Sequence, residues 1–238
     1  MLNQNNRARA NLAMLEFIAR KLGELRDELV FLGGCATALL INDPIAPDVR
    51  TTLDVDCIVD VLSLGHYHQL EQKLRTLGFQ QSMEDSVICR WRYQEIILDV
   101  MPTDEKILGF GNRWYPAAIE YAMIHYLSAD LSLKSVAAPY FLATKFEAFK
   151  SRGQRDYLMS HDFEDIVAVI DGRLELLGEV SVTQADLKKY LAMTFSQLLE
   201  DANFTACLAG HLNYGAATVA RANIVLNRMS QIANLTKE

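Results

Sequence analysis

The spacing of apolar and polar residues divides the chain into a front part that mixes strands with helices and a back part that is helical throughout. In the front part, apolar runs of strand length alternate with stretches in which apolar residues recur every three to four positions. The runs that predict strands are 28–32, 53–62, 87–93, 96–101 and 131–136, the last being the least distinct. The helical stretches among them are 5–29, 36–41, 67–77 and 117–126.

Helical spacing then continues from Pro139 to the C-terminus. The helices predicted there are 139–150, 162–170, 173–178, 184–200 and a final stretch from Phe204. A part that mixes strands and helices, followed by helices alone, predicts the α/β (α+β) class with a C-terminal α-helical domain. We place the boundary near Ala137, which gives a first domain of residues 1–137, including an N-terminal helix, and a second of residues 138–238.

Length and composition fit an ordinary globular protein. The 238 residues allow one large domain or two small ones, and half of them are apolar. No apolar run reaches the roughly 18 to 20 residues that cross a bilayer, and the N-terminus lacks the apolar core of a signal peptide. The four cysteines show no CxxC or regular spacing, which indicates reduced core residues. We therefore expect a cytoplasmic protein with no membrane partner.

Two carboxylates interrupt the apolar strand predicted at 53–62. Because strand side chains alternate between faces, Asp54 and Asp56 point the same way, about 6 to 7 Å apart along the strand. Like charges at that distance repel unless a cation lies between them. Mg²⁺ is a suitable cation, since it takes hard oxygen ligands from a few carboxylates, phosphates and water.

A third acid lies in the later strand EIILDVMP, where Leu98 and Val100 flank Asp99. A buried, unpaired carboxylate costs several kcal/mol by order of magnitude, so Asp99 needs a partner. Three carboxylates from two strands form the usual pocket for two-metal phosphoryl or nucleotidyl transfer. An isolated D-x-D pair, by contrast, is most often an exposed feature of a strand end or turn. Asp60 illustrates that case, because it lies too far along the strand to share a metal.

The segment FLGGCATALLI makes the metal interpretation more specific. A strand that runs into Gly33-Gly34 and then into a helix lets backbone amides approach a phosphate, and the helix N-terminus adds partial positive charge. The order strand, Gly-Gly, helix, D-x-D and later strand acid is much more specific than any one of its parts.

This set of motifs resembles the nucleotidyltransferase superfamily of DNA polymerase β. Within it, GGCATALL with RTTLDVD is similar to the AbiEii/MenT-type toxins of abortive-infection and toxin–antitoxin systems. The residues that match the toxin pattern position by position are Gly33, Gly34, Arg50, Thr52, Asp54, Asp56 and Asp99. The resemblance implies a polymerase-β-like core with a mixed sheet, and a helical domain that completes a nucleotide cleft.

The resemblance also implies roles for these residues. Asp54 and Asp56 hold two Mg²⁺ ions, which Mn²⁺ can replace, and Asp99 completes the second metal site and can act as base. Gly33, Gly34 and Cys35 cradle phosphates of an NTP, while Arg50 and Thr52 shape the loop or contact phosphate. Cys35 departs from the pattern, since Ser or Thr is frequent there and a thiol is a poorer donor.

Candidates in the second domain are more ambiguous. Lys145 lies among apolar residues at helical spacing, so it is either a surface lysine with a buried stem or, as the resemblance implies, a ligand of the triphosphate. Asp165 is a nucleotide-site candidate by resemblance, and the neighbouring Asp162 can be a helix N-cap.

Charge bears on the acceptor of the transferred group. The net charge of −7 argues against broad adhesion to nucleic acid, but Lys150, Arg152 and Arg155 form a local basic patch. Such a patch is usually a solvated loop, and it is also a natural place for a nucleic-acid substrate.

The resemblance implies transfer of a nucleoside monophosphate to RNA, in particular a tRNA end, or to a protein, and a cognate antitoxin encoded nearby. The first alternative is a small-molecule nucleotidyltransferase that modifies antibiotics. The second is an inactive member of the fold that binds a nucleotide or a partner.

Overall fold

The structure is a computed structural model that describes residues 6–61, 63–82, 85, 87–153, 156–212 and 218–236. The chain divides into two compact units. We call one the sheet unit, which comprises Asn5–Leu39 and Thr51–Ala137. We call the other the helical unit, which comprises Leu40–Arg50 and Ala138–Glu238.

The front part of the chain forms six strands and five α-helices among its described residues. In chain order these are α1 (Asn6–Leu22), β1 (Leu29–Leu32), α2 (Gly33–Leu40), β2 (Asp54–Val59), α3 (Leu64–Thr76), β3 (Arg90–Tyr93), β4 (Ile96–Pro102), α4 (Glu105–Leu108), α5 (Tyr115–Glu120), β5 (Met123–Ser128) and β6 (Leu131–Ser135). A 3₁₀ helix, Gly23–Glu28, joins α1 to β1.

The six strands form one mixed sheet in the order β3-β4-β2-β1-β6-β5. The pairs β2–β4 and β1–β6 are parallel, and the other three are antiparallel. A mixed sheet followed by helices confirms the predicted fold class.

One face of this sheet supports the core of the sheet unit. Val55 and Cys57 of β2 are fully buried there, together with Leu98 of β4. Side chains of α1 and α3 complete the core, including Leu15 and Tyr67. Because strand side chains alternate, burying Val55 and Cys57 turns Asp54 and Asp56 to the opposite face.

The predicted helix at 117–126 is wrong in its second half. Helix α5 ends at Glu120, and Met123–Ser128 forms the edge strand β5, which pairs antiparallel with β6. The segment MIHYLS is rich in strand-forming side chains, and its pairing with Leu131–Ser135 outweighs the helical tendency that Ala117 and Ala118 give to the preceding turn. The indistinct strand predicted at 131–136 is confirmed as β6.

Two predicted boundaries also differ. Helix α2 begins at Gly33, directly after β1, three residues earlier than the pattern indicated. Strand β2 ends at Val59, and Leu62, the predicted end, lies outside the described residues.

The described residues from Ala138 onward form six α-helices. They are α6 (Ala138–Arg152), α7 (His161–Gly172), α8 (Leu176–Ser181), α9 (Ala185–Glu200), α10 (Ala202–Leu208) and α11 (Thr218–Ala233). Aromatic rings fill much of their core: Phe163 packs against Phe149 and Phe204, and Phe146 meets Phe195 edge to face at 5.4 Å between centroids.

A buried arginine attaches the segment Leu40–Arg50 to the helices of its unit. Arg221 donates from Nε to both carboxylate oxygens of Asp171, at 2.8 and 2.7 Å, and from Nη2 to Asp43 at 3.0 Å. Burial raises the pKa of Asp171 in spite of this partner. Burial also acts on Asp43, but the amide of Ile45 and Arg221 outweigh it and hold the pKa of Asp43 below its ordinary value.

All four cysteines are free thiols; Cys35, Cys57 and Cys89 are buried, as expected of core residues, whereas Cys207 is half-buried. Burial raises the pKa of Cys89 to about 12, far from the range of a reactive thiolate. Within the described residues, no helix has the length and apolar character needed to cross a membrane.

Candidate functional site

The three predicted carboxylates lie together on one face of the sheet. In the parallel pair β2–β4, Asp56 lies directly opposite Asp99, and Asp54 is two residues earlier on the same face. Each of the three offers an oxygen that lies within 4.8 Å of the oxygens offered by the other two. The alternation of β2 and its register with β4 therefore produce the convergence that the sequence predicted.

The acids differ in their surroundings. Asp54 and Asp56 are half-buried, whereas Asp99 is buried and bound by Arg90 of the neighbouring strand. Arg90 donates from Nε to Oδ1 of Asp99 at 2.9 Å and from Nη2 to Oδ2 at 2.7 Å. This double hydrogen bond raises the pKa of Arg90 above its already high ordinary value.

Sequence reasoning missed Arg90, although the sequence contained a signal for it. Only Gln94 and Glu95 separate the strands predicted at 87–93 and 96–101, a spacing that favours a hairpin with a tight turn. Counting outward from that turn places Arg90 opposite Asp99, which is the observed register of β3 and β4. An arginine directly opposite a buried acid on the neighbouring strand is positioned to form an ion pair with it.

The need for glycine at position 33 comes from Asp56. Gly33 has φ of 77°, in the left-handed region that favours glycine. A Cβ at this position would lie 2.6 Å from Cγ and 2.8 Å from Cβ of Asp56, and closer still to Oδ2. The Asp56 carboxylate thus packs against the first residue of α2, in space that a side chain would fill.

Gly33→Ala is expected to lower the free energy of unfolding by about 3 kcal/mol or more, because it adds backbone strain to a clash with a strand side chain. It should also displace Asp56 and so weaken Mn²⁺ binding. The matched control is Gly109→Ala, with φ of 79° and nothing within 4 Å of the new Cβ. Urea unfolding and Mn²⁺ titration compare the two, and equal losses in both variants would contradict the role given to Asp56 packing.

Thr52 and Cys35 are both linked to Asn11, a buried residue of α1. The Thr52 hydroxyl donates to Asp54, and its backbone N–H donates to Oδ1 of Asn11 at 3.3 Å. The Cys35 thiol is fully buried and donates to the carbonyl oxygen of Asn11 at 3.1 Å. A phosphate contact from Cys35 would therefore use its backbone amide, as for Gly34 beside it. Asn11 was missed, and the signal was a polar residue beside the apolar stripe of α1.

In the helical unit, three predicted residues form a second charged group. Both Arg50 and Lys145 bind Asp165, which is only 1% exposed. Arg50 does so through Nε and Nη2 at 2.9 and 3.0 Å, and Lys145 through Nζ at 2.7 Å. Lys145 is itself buried, so it is not the surface lysine of the alternative interpretation.

Asp162 extends this group and is not the N-cap of α7. That role belongs to Ser160, whose hydroxyl oxygen accepts from the N–H of Phe163. Asp162 instead accepts from Lys145 at 3.1 Å and from Arg152 at 2.8 and 2.9 Å. Burial would raise the pKa of Asp162, but Arg152 and Lys145 outweigh it, so the pKa is lowered.

We call Arg50, Lys145, Arg152, Asp162 and Asp165 the basic cluster, because its three cations exceed its two anions. Of the three residues in the basic patch that the sequence indicated, Arg152 belongs to this cluster. Lys150 has other partners, namely Glu147 and the hydroxyl of Tyr190. Arg155, the third member of the predicted patch, lies outside the described residues.

The acids of the sheet unit have the chemistry of a divalent-metal site. Carboxylate oxygens from neighbouring strands are the ligands that Mg²⁺ and Mn²⁺ take, and their mutual separations permit a shared ion. Asp60 accepts a hydrogen bond from Thr103 at 3.1 Å and is not part of this set. Asp54, Asp56 and Asp99 thus fit a divalent ion, and their role as ligands stays a prediction.

Comparisons with known proteins give distant structural likenesses. No protein-family model matches the sequence, and no curated protein matches it. The fold is similar to an antigenic nucleotidyltransferase-like protein from Paracoccidioides brasiliensis, with a TM-score of 0.48 and 20% identity over 87% of this chain and 95% of that one. It is also similar to the antibiotic-resistance factor ANT(2'')-Ia, with a TM-score of 0.46 and 13% identity over 67% of this chain and 82% of that one. Likeness at this level assigns no activity to the chain.

Proposed function

We propose that this protein is a divalent-metal-dependent nucleotidyltransferase, which moves a nucleoside monophosphate from an NTP to a hydroxyl and releases pyrophosphate. The observation that carries the proposal is the convergence of Asp54, Asp56 and Asp99 beside the glycine turn at Gly33. Three acids on adjacent strands, next to a helix N-terminus, provide ligands for metal and phosphate in one place.

Each acid has a distinct part in the proposed reaction. Asp54 and Asp56 would hold Mg²⁺ or Mn²⁺, and Asp99 would complete a second metal site. The metal, when bound, supplies Lewis-acid stabilisation of charge on the phosphoryl oxygens. Thr52 orients Asp54 through its hydroxyl, and Arg90 fixes the plane of the Asp99 carboxylate.

The proposed reaction needs no reactant other than the NTP and the acceptor hydroxyl. A bond forms between the acceptor oxygen and the α-phosphorus, and the bond from that phosphorus to the bridging oxygen of pyrophosphate breaks. The hydroxyl proton passes to a carboxylate oxygen of Asp99, acting as general base. The negative charge that develops on pyrophosphate calls for cations and amide donors. We assign that role to the backbone amides of 33–35.

For the acceptor, we propose RNA, in particular a tRNA end, or a protein side chain, with growth inhibition relieved by a cognate antitoxin. The support is the motif Arg50-x-Thr52-x-Asp54-x-Asp56, which resembles that of AbiEii/MenT-type toxins. Two residues of this motif are in direct contact, because the Thr52 hydroxyl donates a hydrogen bond to Asp54.

A second candidate is transfer to a small polycationic antibiotic. The net charge of −7 favours it, since cationic substrates are attracted to an acidic protein. Expression in a sensitive bacterium distinguishes the two candidates, because antibiotic modification gives resistance and transfer to RNA or protein arrests growth.

The test is incubation of the purified protein with each α-³²P-labelled NTP, Mg²⁺ and total cell RNA or protein. We expect label to enter a macromolecule with at least one NTP, and to be lost with EDTA or with Asp54→Ala. An absence of transfer with every NTP, to RNA, protein and aminoglycosides alike, would contradict the proposal. Failure to bind Mn²⁺ or nucleotide by calorimetry would then support an inactive member of the fold.

A further inference from the structure

The guanidinium of Arg90 occupies both oxygens of Asp99. The two hydrogen bonds, at 2.9 and 2.7 Å, are bidentate, the strongest geometry between these groups. The side chains of Arg90 and Asp99 are 22% and 10% exposed, so solvent screens the pair less than it screens a surface ion pair. Arg90 also interacts electrostatically with Asp54, which adds to the rise in its pKa.

In this arrangement, Arg90 and any metal ion that binds Asp99 compete for the same carboxylate oxygens. A divalent cation at that carboxylate would take oxygens that already accept from the guanidinium, and would lie close to a fixed positive charge. Asp54, in contrast to Asp99, accepts a hydrogen bond from an uncharged group, the hydroxyl of Thr52. Asp54 and Asp99 are therefore unequal as metal ligands.

We propose that Arg90 is a built-in competitor for Asp99, which leaves Asp54 and Asp56 to hold one divalent ion tightly and weakens the binding of a second ion that needs Asp99. The inference rests on the proposed nucleotidyltransferase site and concerns its regulation. Its consequence is an order of assembly. The second ion binds well only when it arrives with the negative charge of the NTP phosphates, which offsets the repulsion from Arg90.

The experiment is Mn²⁺ titration of the full-length protein without nucleotide, read by calorimetry and by the electron paramagnetic resonance signal of free Mn²⁺. The wild-type protein should bind one ion tightly and a second weakly. Arg90→Gln removes the competing charge, so the second ion should bind about tenfold tighter or more. Arg90→Lys keeps the charge and should leave the second ion weak.

The same strand offers a matched control. Arg92 makes a bidentate pair with Asp85 at 2.8 Å for both bonds, so Arg92→Gln removes a similar pair that does not involve the three acids. Its two Mn²⁺ affinities should equal those of the wild type. Circular dichroism verifies that each variant folds, and the rise in melting temperature with Mn²⁺ gives a second measure of binding, which should be larger in Arg90→Gln.

The outcomes separate this inference from the proposed function. If Asp54→Ala abolishes Mn²⁺ binding but Arg90→Gln binds the second ion no more tightly than the wild type, the competitor role is wrong and the metal site stands. Weaker binding in Arg90→Gln would make Arg90 a residue that supports metal binding, and would also overturn the inference. If neither wild type nor Arg90→Gln binds Mn²⁺, both proposals fail.

Discussion

Asp56→Asn is expected to lower the rate of nucleotidyl transfer by at least about a thousandfold while the protein stays folded. Asp56 lies between the other two acids, next to Asp54 on its own strand and opposite Asp99 on β4. An amide keeps the shape of the side chain that packs against Gly33, but it removes one negative charge from the proposed metal site. The measurement is the initial rate of label transfer at saturating NTP, together with Mn²⁺ affinity.

The matched control for this prediction is Asp60→Asn, just beyond the end of β2. Asp60 is exposed and its carboxylate accepts from Thr103, outside the acid set. Its substitution removes the same charge from the chain and should change the transfer rate less than about twofold. A comparable loss in both variants would mean that net charge matters and that the three acids do not act together.

The common face of Asp54 and Asp56 could be predicted from sequence because it follows from strand geometry alone. Alternation places Asp54 and Asp56 on one face, and their neighbours Val55 and Cys57 are apolar enough to fix which face is buried. The position of Asp99 beside them depends in addition on the register between β2 and β4. That register pairs two strands separated by about forty residues, and no local pattern encodes it.

Partners of the predicted residues were harder to obtain from sequence. Asn11 touches Thr52 and Cys35 only because α1 packs against the sheet, and the helical pattern indicates a face without naming contacts. Lys145 was recognised as a lysine on an apolar face. Its partners come from α7, a different helix, so spacing along α6 could not show that it is held by two carboxylates.

Edge strand β5 shows the limit of local propensity. The segment that follows α5 was assigned to the helix 117–126, and no glycine or proline interrupts that stretch. The strand exists because β6 offers a partner edge one short turn later. Helix propensity accounts for the start of α5, and the pairing of β5 with β6 accounts for its end.

Arg221→Met is expected to lower the free energy of unfolding of the helical unit by about 3–5 kcal/mol. Methionine replaces much of the apolar stem of the arginine but none of its donors. Asp171, 1% exposed, loses the guanidinium that pairs with both of its oxygens, and Asp43 loses the same partner. The measurement is hydrogen exchange of the amides in α7 and α11, because Trp91 and Trp114 both lie in the sheet unit and do not report on these helices.

The pH dependence of that loss identifies its cause. Burial already raises the pKa of Asp171 above 3.8 in the folded protein, and removal of Arg221 should raise it further. A folded state that binds a proton more tightly than the unfolded chain loses stability as pH rises from the unfolded pKa through the folded one. The deficit of Arg221→Met should therefore be largest near neutral pH and shrink on acidification.

Arg228→Met is the control for this pH effect. Arg228 donates to the backbone carbonyl oxygens of Ile170 and Asp171 and not to a carboxylate, so its loss should cost about 1–2 kcal/mol with much weaker dependence on pH. A deficit in Arg221→Met that stays constant with pH would mean that lost packing, and not an unpaired Asp171 carboxylate, destabilises the variant. Because Arg221 also donates to Asp43 and to the carbonyl oxygen of Ile45, the same substitution should loosen the segment Leu40–Arg50, and faster hydrogen exchange of its amides would show this.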